Sequence, residues 1–196
     1  MLRINSVVLC ALLLTLAGCA EQPSEELEAA RKAVEDARAA GADVYAGSEF
    51  RNASSALKEA EAEITVQDES FALGRSYDKA IELLSTASTQ AETATSATAI
   101  NKTKVKGRAE ADKTEAEAAL KQAEASLTKA PRGKGSQADI AALEADVASA
   151  QASISEAEQN YQAGRYKEAL DGFTSAKSRS EGVHNEIQQA IGRRRR

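Results

Sequence analysis

FRNASSALKEAEAEI at residues 50–64 and IAALEADVASAQASI at residues 140–154 decide the fold. In the first, Phe50, Ala53, Leu57, Ala60 and Ile64 fall three or four residues apart, and in the second Ile140, Leu143, Val147, Ala150 and Ile154 do the same. Residues so spaced share one stripe of an α-helix, whereas a half-buried strand would alternate every second residue. The stripes run on, to Phe71 in the first case and through Ala157 to Tyr161 in the second. Two more appear at Leu27, Ala30, Val34 and Ala37, and at Tyr166, Ala169, Phe173, Ala176, Ser180, Val183, Ile187 and Ala190. Seams of this length mark helices that pack along one another, and their small Ala positions allow close approach. The expected class is all-α: an elongated, coiled-coil-like bundle of antiparallel helical hairpins.

Laid on itself at an offset of 90, the chain repeats. Phe50 meets Ile140, Leu57 meets Val147, Ala60 meets Ala150, Ile64 meets Ile154 and Phe71 meets Tyr161. The pair Gly74-Arg75 meets Gly164-Arg165, and after the extra Ser76 the residues Tyr77, Ala80, Leu84 and Ala87 meet Tyr166, Ala169, Phe173 and Ala176. Any two seams align in some register, but a shared Gly-Arg turn followed by an aromatic favours duplication into two tandem three-helix units.

Unit 1 is expected over 24–100, a helical linker over 101–113, unit 2 over 114–191 and a basic tail over 192–196. In unit 1 the spacing predicts helices over 24–40, ended by Gly41, and over 48–73, with Ser48 as N-cap and Gly74 as left-handed C-cap. A third helix starts at Tyr77, capped by Ser76. In unit 2 helices are expected over 108–129, 138–163 and 166–191, with Gly164-Arg165 short enough to make its flanking helices antiparallel neighbours. The Thr- and Lys-rich stretch 93–114 lacks Pro, so it is expected to stay helical although Gly107 costs ~1 kcal/mol relative to Ala. Tyr77 to Lys129 would then be one rod about 80 Å long.

Composition limits the chemistry. Of 196 residues 42 are Ala and none is Trp; there are two Cys, one His and two Pro. Common His- or Cys-based active sites can hardly be assembled from that set, so the expectation is no enzyme, no cofactor, no metal and no small-molecule substrate. The net charge of −5 makes nucleic acid an unfavourable partner.

The amino terminus reads as an export signal at residues 1–18: Arg3, then the apolar run Val7–Leu16 broken only by Thr15, then small residues. The run is too short to span a bilayer, which takes ~20 apolar residues. Behind it stands Leu16-Ala17-Gly18-Cys19, which resembles the lipobox of bacterial lipoproteins. That resemblance implies cleavage before Cys19, a thioether-linked diacylglycerol and an N-acyl chain (palmitate or the like) on Cys19, and a lipidated tether at 19–23. The plainer alternative is a secretory leader cut near Ala17 or Ala20, leaving a free thiol. Cys10 leaves with the leader in either case, so no intrachain disulfide is possible. Two or more acyl chains anchor stably where one does not. Ala20 and Glu21 after such a Cys imply onward sorting to the outer membrane.

The stretch Ala29–Ala94 resembles a bacterial lipoprotein domain family of unknown function with tetratricopeptide-like hairpins. The resemblance is carried by Ala40-Gly41-Ala42 with Tyr45-Ala46, by Leu57–Glu61, and by Gly74–Ala80. It implies a helical domain often joined to a peptidoglycan-binding domain of the outer-membrane-protein-A type, for which the 196 residues leave no room.

Other features are expected to be structural. Tyr77 and Tyr166 should pack over their turns with hydroxyls in water. Glu59, Glu61 and Glu63, and Glu156 and Glu158, lie two apart and so read as solvated faces, not a cation cage. His184 is expected to be exposed, and Gly133-Lys134-Gly135-Ser136 to be a connection without the strand and spacing of a phosphate loop. Arg193, Arg194, Arg195 and Arg196 can pair with anionic lipid, peptidoglycan carboxylates or an acidic partner, or simply complement a helix end. The expected function is a lipid-anchored periplasmic scaffold or spacer of the bacterial envelope. Its rival is an adaptor of a secretion, transport or wall-synthesis assembly, gripping an envelope protein in a groove lined by residues such as Phe50, Tyr77 or Phe173.

Overall fold

The computed structural model describes residues 21–131 and 137–194. Among them are six α-helices and no strand: α1 Ser24–Ala39, α2 Ala42–Tyr45, α3 Gly47–Glu69, α4 Asp78–Leu127, α5 Gln137–Gln162 and α6 Tyr166–Arg194. The class is all-α. The chain divides into two compact units between Ile100 and Asn101, and α4 contributes residues to both, running unbroken through Gly107.

In unit 1, Glu25 and Glu26 in the first turn of α1 and Arg38 in its last complement the helix dipole. The chain leaves α1 through Gly41, whose φ of +93° lies in the left-handed region that disfavours a Cβ. A single helical turn, α2, then fills the gap between the two expected helices. Helix α3 opens at Gly47 behind Ala46, so Ser48 is not its cap; the Ser48 hydroxyl donates to the Glu49 carboxylate at 2.6 Å instead. α3 also ends at Glu69, short of the expected 73. Ser70 is extended, which carries Phe71 off the seam and leaves it 78 % exposed.

Gly74 is not a left-handed cap. It closes a 3-10 turn at Ala72–Gly74, and Gly41 and Gly164 are the glycines with positive φ among the described residues. The connection from Ser70 to Tyr77 is long enough to reverse direction without a left-handed step. Ser76 does meet the start of α4, its hydroxyl accepting from the Asp78 amide at 3.3 Å. Arg31–Glu61 at 2.8 Å and Gln22–Asp68 at 3.0 Å set α1 antiparallel to α3.

The core of unit 1 is a pair of layers. One gathers Ala30, Ala60, Ile64, Tyr77, Leu84 and Ala87, the other Val34, Ala37, Phe50, Ala53, Ala91 and Ala94. In unit 2, Gly164 (φ +76°) reverses the chain between α5 and α6, and Arg165 grips Asn160 Oδ1 at 2.7 Å. Its layers hold Ala116, Ala150, Ala157, Ala169, Phe173 and Ala176, then Ala123, Val147, Val183 and Ile187. The seam tolerates Ser180, which is fully buried, because its hydroxyl donates to the Ala176 carbonyl at 2.8 Å.

Candidate functional site

Asp68, in the last turn of α3, gathers polar contacts from three segments of the chain. Its carboxylate accepts from Gln22 Nε2 at 3.0 Å and from the Tyr77 hydroxyl at 2.5 Å, and its carbonyl oxygen accepts from Arg75 Nη2 at 2.9 Å. Arg75 also reaches the Ser70 carbonyl at 3.0 Å. Three chain segments, the entry to α1, the end of α3 and the start of α4, are thereby tied at one end of unit 1. Tyr77 is 4 % exposed and its hydroxyl is bonded, contrary to the expectation of a hydroxyl in water. The Asp68 carboxylate, by accepting that bond, and then burial hold the phenol above its ordinary range.

Outward from this knot the side chains are apolar and uncovered: Phe71 is 78 % exposed, Leu73 85 % and Val66 57 %. Ile81 opens onto a hollow of about 320 Å³ bounded by Glu21, Gln22 and Pro23.

The acidic runs are not simply solvated. Glu61 pairs with Arg31; Glu63 pairs with Lys79 at 2.6 Å and accepts from Gln67; Glu158 pairs with Lys113 and accepts from Gln162. The donated bonds, from Lys79 and Gln67 in one case and Lys113 and Gln162 in the other, hold both carboxyls below the ordinary 4.5. Each pair crosses between two helices, which the two-residue spacing could not reveal.

His184 is also partnered, not free. Ser126 donates its one proton to the Gln122 carbonyl at 2.9 Å, so the His184 Nδ1–H must donate to Ser126 Oγ at 2.7 Å. Nε2 is then left to accept from the Gln122 amide at 3.2 Å. This closed ring of donors ties α6 to α4. Tyr166 lies 5.2 Å from the Tyr161 ring and under Lys106 Nζ at 5.9 Å, and the Tyr161 hydroxyl donates to Glu110. That bond, followed by burial, pushes the Tyr161 phenol up to about 12.

Phe50, Tyr77 and Phe173 line no groove: they are 8 %, 4 % and 0 % exposed and belong to the cores. An open hollow of about 640 Å³ lies instead between α4 and α5, with Leu120 and Ile154 among polar walls of Lys113, Glu117 and Glu158. A smaller one of about 330 Å³ is walled by Ile140, Leu143, Ile187 and Arg193. Cys19, Gly133 to Ser136, Arg195 and Arg196 lie outside the described residues. Arg193 is exposed at the end of α6, and Arg194 is that helix's last residue. Among the described residues no group of three or more His, Cys, Asp or Glu is arranged to hold a metal ion, and no helix is long and apolar enough to cross a membrane.

Residues 25–107 match the profile of a domain of unknown function, DUF4398. No curated protein and no solved structure matches the chain.

Proposed function

We propose that this chain is a lipid-anchored, non-catalytic helical scaffold or spacer of the bacterial envelope, held on the outer membrane and facing the periplasm. The observation that carries the reading is Leu16-Ala17-Gly18-Cys19 directly behind the Val7–Leu16 run, with α1 opening only at Ser24. Five residues from Cys19 to the first helix make a short tether. What supports a structural over a chemical role is the use of side chains: large apolar ones such as Leu84 and Phe173 fill the two cores, and ionised ones such as Lys79–Glu63 and Lys177–Glu115 pair across helices. Intact mass of the protein purified from membranes tests it. The expected mass is that of the chain beginning at Cys19 with a diacylglycerol and an N-acyl group, and Cys19→Ser moves the protein to the wash. An unmodified thiol on a protein that washes free would refute the anchor.

An adaptor role has one observation in its favour, the hollow between α4 and α5 with Leu120 and Ile154 in its wall. A partner helix with one apolar ridge and flanking charges fits such a trough. Crosslinking in living cells from positions 117, 121 and 155 separates the readings: a single reproducible partner selects the adaptor, and none selects the spacer.

A further inference from the structure

From the exposed end of unit 1 we infer that the Phe71–Leu73 tip is a second membrane contact, inserting into the neutral lipid surface beside the acylated Cys19. The inference rests on the anchoring reading above and deepens it by saying which end of unit 1 meets the bilayer. Phe71 and Leu73 are 78 % and 85 % exposed, the first just before a tight 3-10 turn and the second inside it, and Val66 in the last turns of α3 is 57 % exposed. Scattered single apolar residues on a surface mean little, but an aromatic and a leucine presented together at a turn form a wedge suited to the boundary between headgroups and acyl chains.

The place of the tip says what covers it. Gln22, three residues after Cys19, donates to Asp68, two residues before Ser70 and the tip. The chain therefore enters unit 1, at Gln22, from the end where Phe71 and Leu73 project. Three residues of chain reach only ~10 Å, so an acylated Cys19 holds this end within a headgroup layer of the membrane. The Asp68 knot and the Arg75 bonds to Asp68 and Ser70 fix the turn, so the wedge is presented without first being ordered. Charge selects the lipid. Glu25, Glu26, Glu69 and Asp78 stand at the same end, and Arg75 is engaged with carbonyls, so anionic headgroups are repelled and a zwitterionic surface is favoured. The acyl chains on Cys19 suffice to hold the protein on the bilayer, and the apolar wedge adds the second point of contact that sets its orientation.

The test uses the full-length, exported protein carrying Phe71→Cys, Leu73→Cys or Val44→Cys, each labelled with a polarity-sensitive fluorophore. The acylated Cys19 cannot react, and Cys10 leaves with the leader. Val44 is 40 % exposed on α2, between the end of α1 and the start of α3, at the opposite end of unit 1. The proteins are reconstituted on phosphatidylcholine–phosphatidylethanolamine vesicles with and without brominated acyl chains. Labels at 71 and 73 are expected to shift to the blue and lose emission to the bromines at low and high salt alike, while the label at 44 does neither. Unquenched labels at 71 and 73 on a protein whose mass shows the acyl groups overturn this inference and leave the anchor standing. Equal quenching at 44 overturns the end-on contact. A protein without acyl mass overturns the anchor and this inference together.

Discussion

Tyr161 and Tyr77 are half-apolar side chains that each find one carboxylate, Glu110 in the first case and Asp68 in the second, when their rings pack against helices. The consequence is clearest for Tyr161, whose phenol is pushed up to about 12 by the bond to Glu110. A phenol harder to ionise in the folded than in the unfolded chain contributes stability that is whole below pH 10 and disappears as the pH rises from 10 towards 12. Tyr161→Phe is therefore expected to lower the urea midpoint of unit 2 below pH 10 and to flatten its alkaline loss over that window, so that the two proteins converge towards pH 12. Measuring the unfolding midpoint of both proteins across the window checks this; parallel curves would place the alkaline loss elsewhere. His184 makes a related point. A residue that looks idle in the sequence is held on both ring nitrogens, because residues 58 and 62 positions earlier in the chain come alongside it.

At the scale of the helix, two glycines of α6 look alike in sequence and differ in what they face. A Cβ on Gly172 would stand 2.8 Å from Ala157 Cβ on α5, whereas one on Gly182 would meet nothing within 4 Å. Ala is favoured over Gly in a helix interior by ~1 kcal/mol, which Gly182→Ala is free to realise. At Gly172 the same gain is opposed by an overpacking cost of about 1–3 kcal/mol, since the neighbour is a backbone-proximal methyl that cannot swing away. Thermal unfolding should thus show Gly182→Ala raised and Gly172→Ala lowered. A Gly172→Ala protein as stable as Gly182→Ala would mean that α5 and α6 slide apart at no cost. The turns tell the same story of context. Gly164 and Gly74 each precede an Arg, yet the first is left-handed and the second is not, because the connection after α3 is longer than the one after α5.

For the chain as a whole, charge and termini set the remaining expectation. Residues 19–196 carry a net charge of −6, and −10 if the terminal Arg193–Arg196 is set aside. Of that block, Arg193 lies in the last turn of α6, where its charge complements the negative pole of the helix. Deleting residues 193–196 is expected to fray the last turn of α6 and to leave retention on purified sacculi and on anionic vesicles unchanged. A drop in retention would instead assign the block to an anionic surface.

The residues by themselves determined the helices and the stripes they bury. Ala60 and Ala150, Ala80 and Ala169, Leu84 and Phe173, and Ala87 and Ala176, paired by the repeat, are buried in their respective units. Such periodicity is local, set by 3.6 residues per turn, and legible without any partner. The lipobox resemblance at Leu16–Cys19 is legible for the same reason, being carried by a contiguous run. What lies between helices was not legible: the knot on Asp68, the pairs Lys79–Glu63 and Lys113–Glu158, the ring through His184 and the close approach at Gly172. Each depends on the register of one helix against another, and a seam of alanines packs acceptably in several registers. Only the tertiary structure chooses among them, and with that choice decides which apolar residues, Phe71 and Leu73, are left facing out.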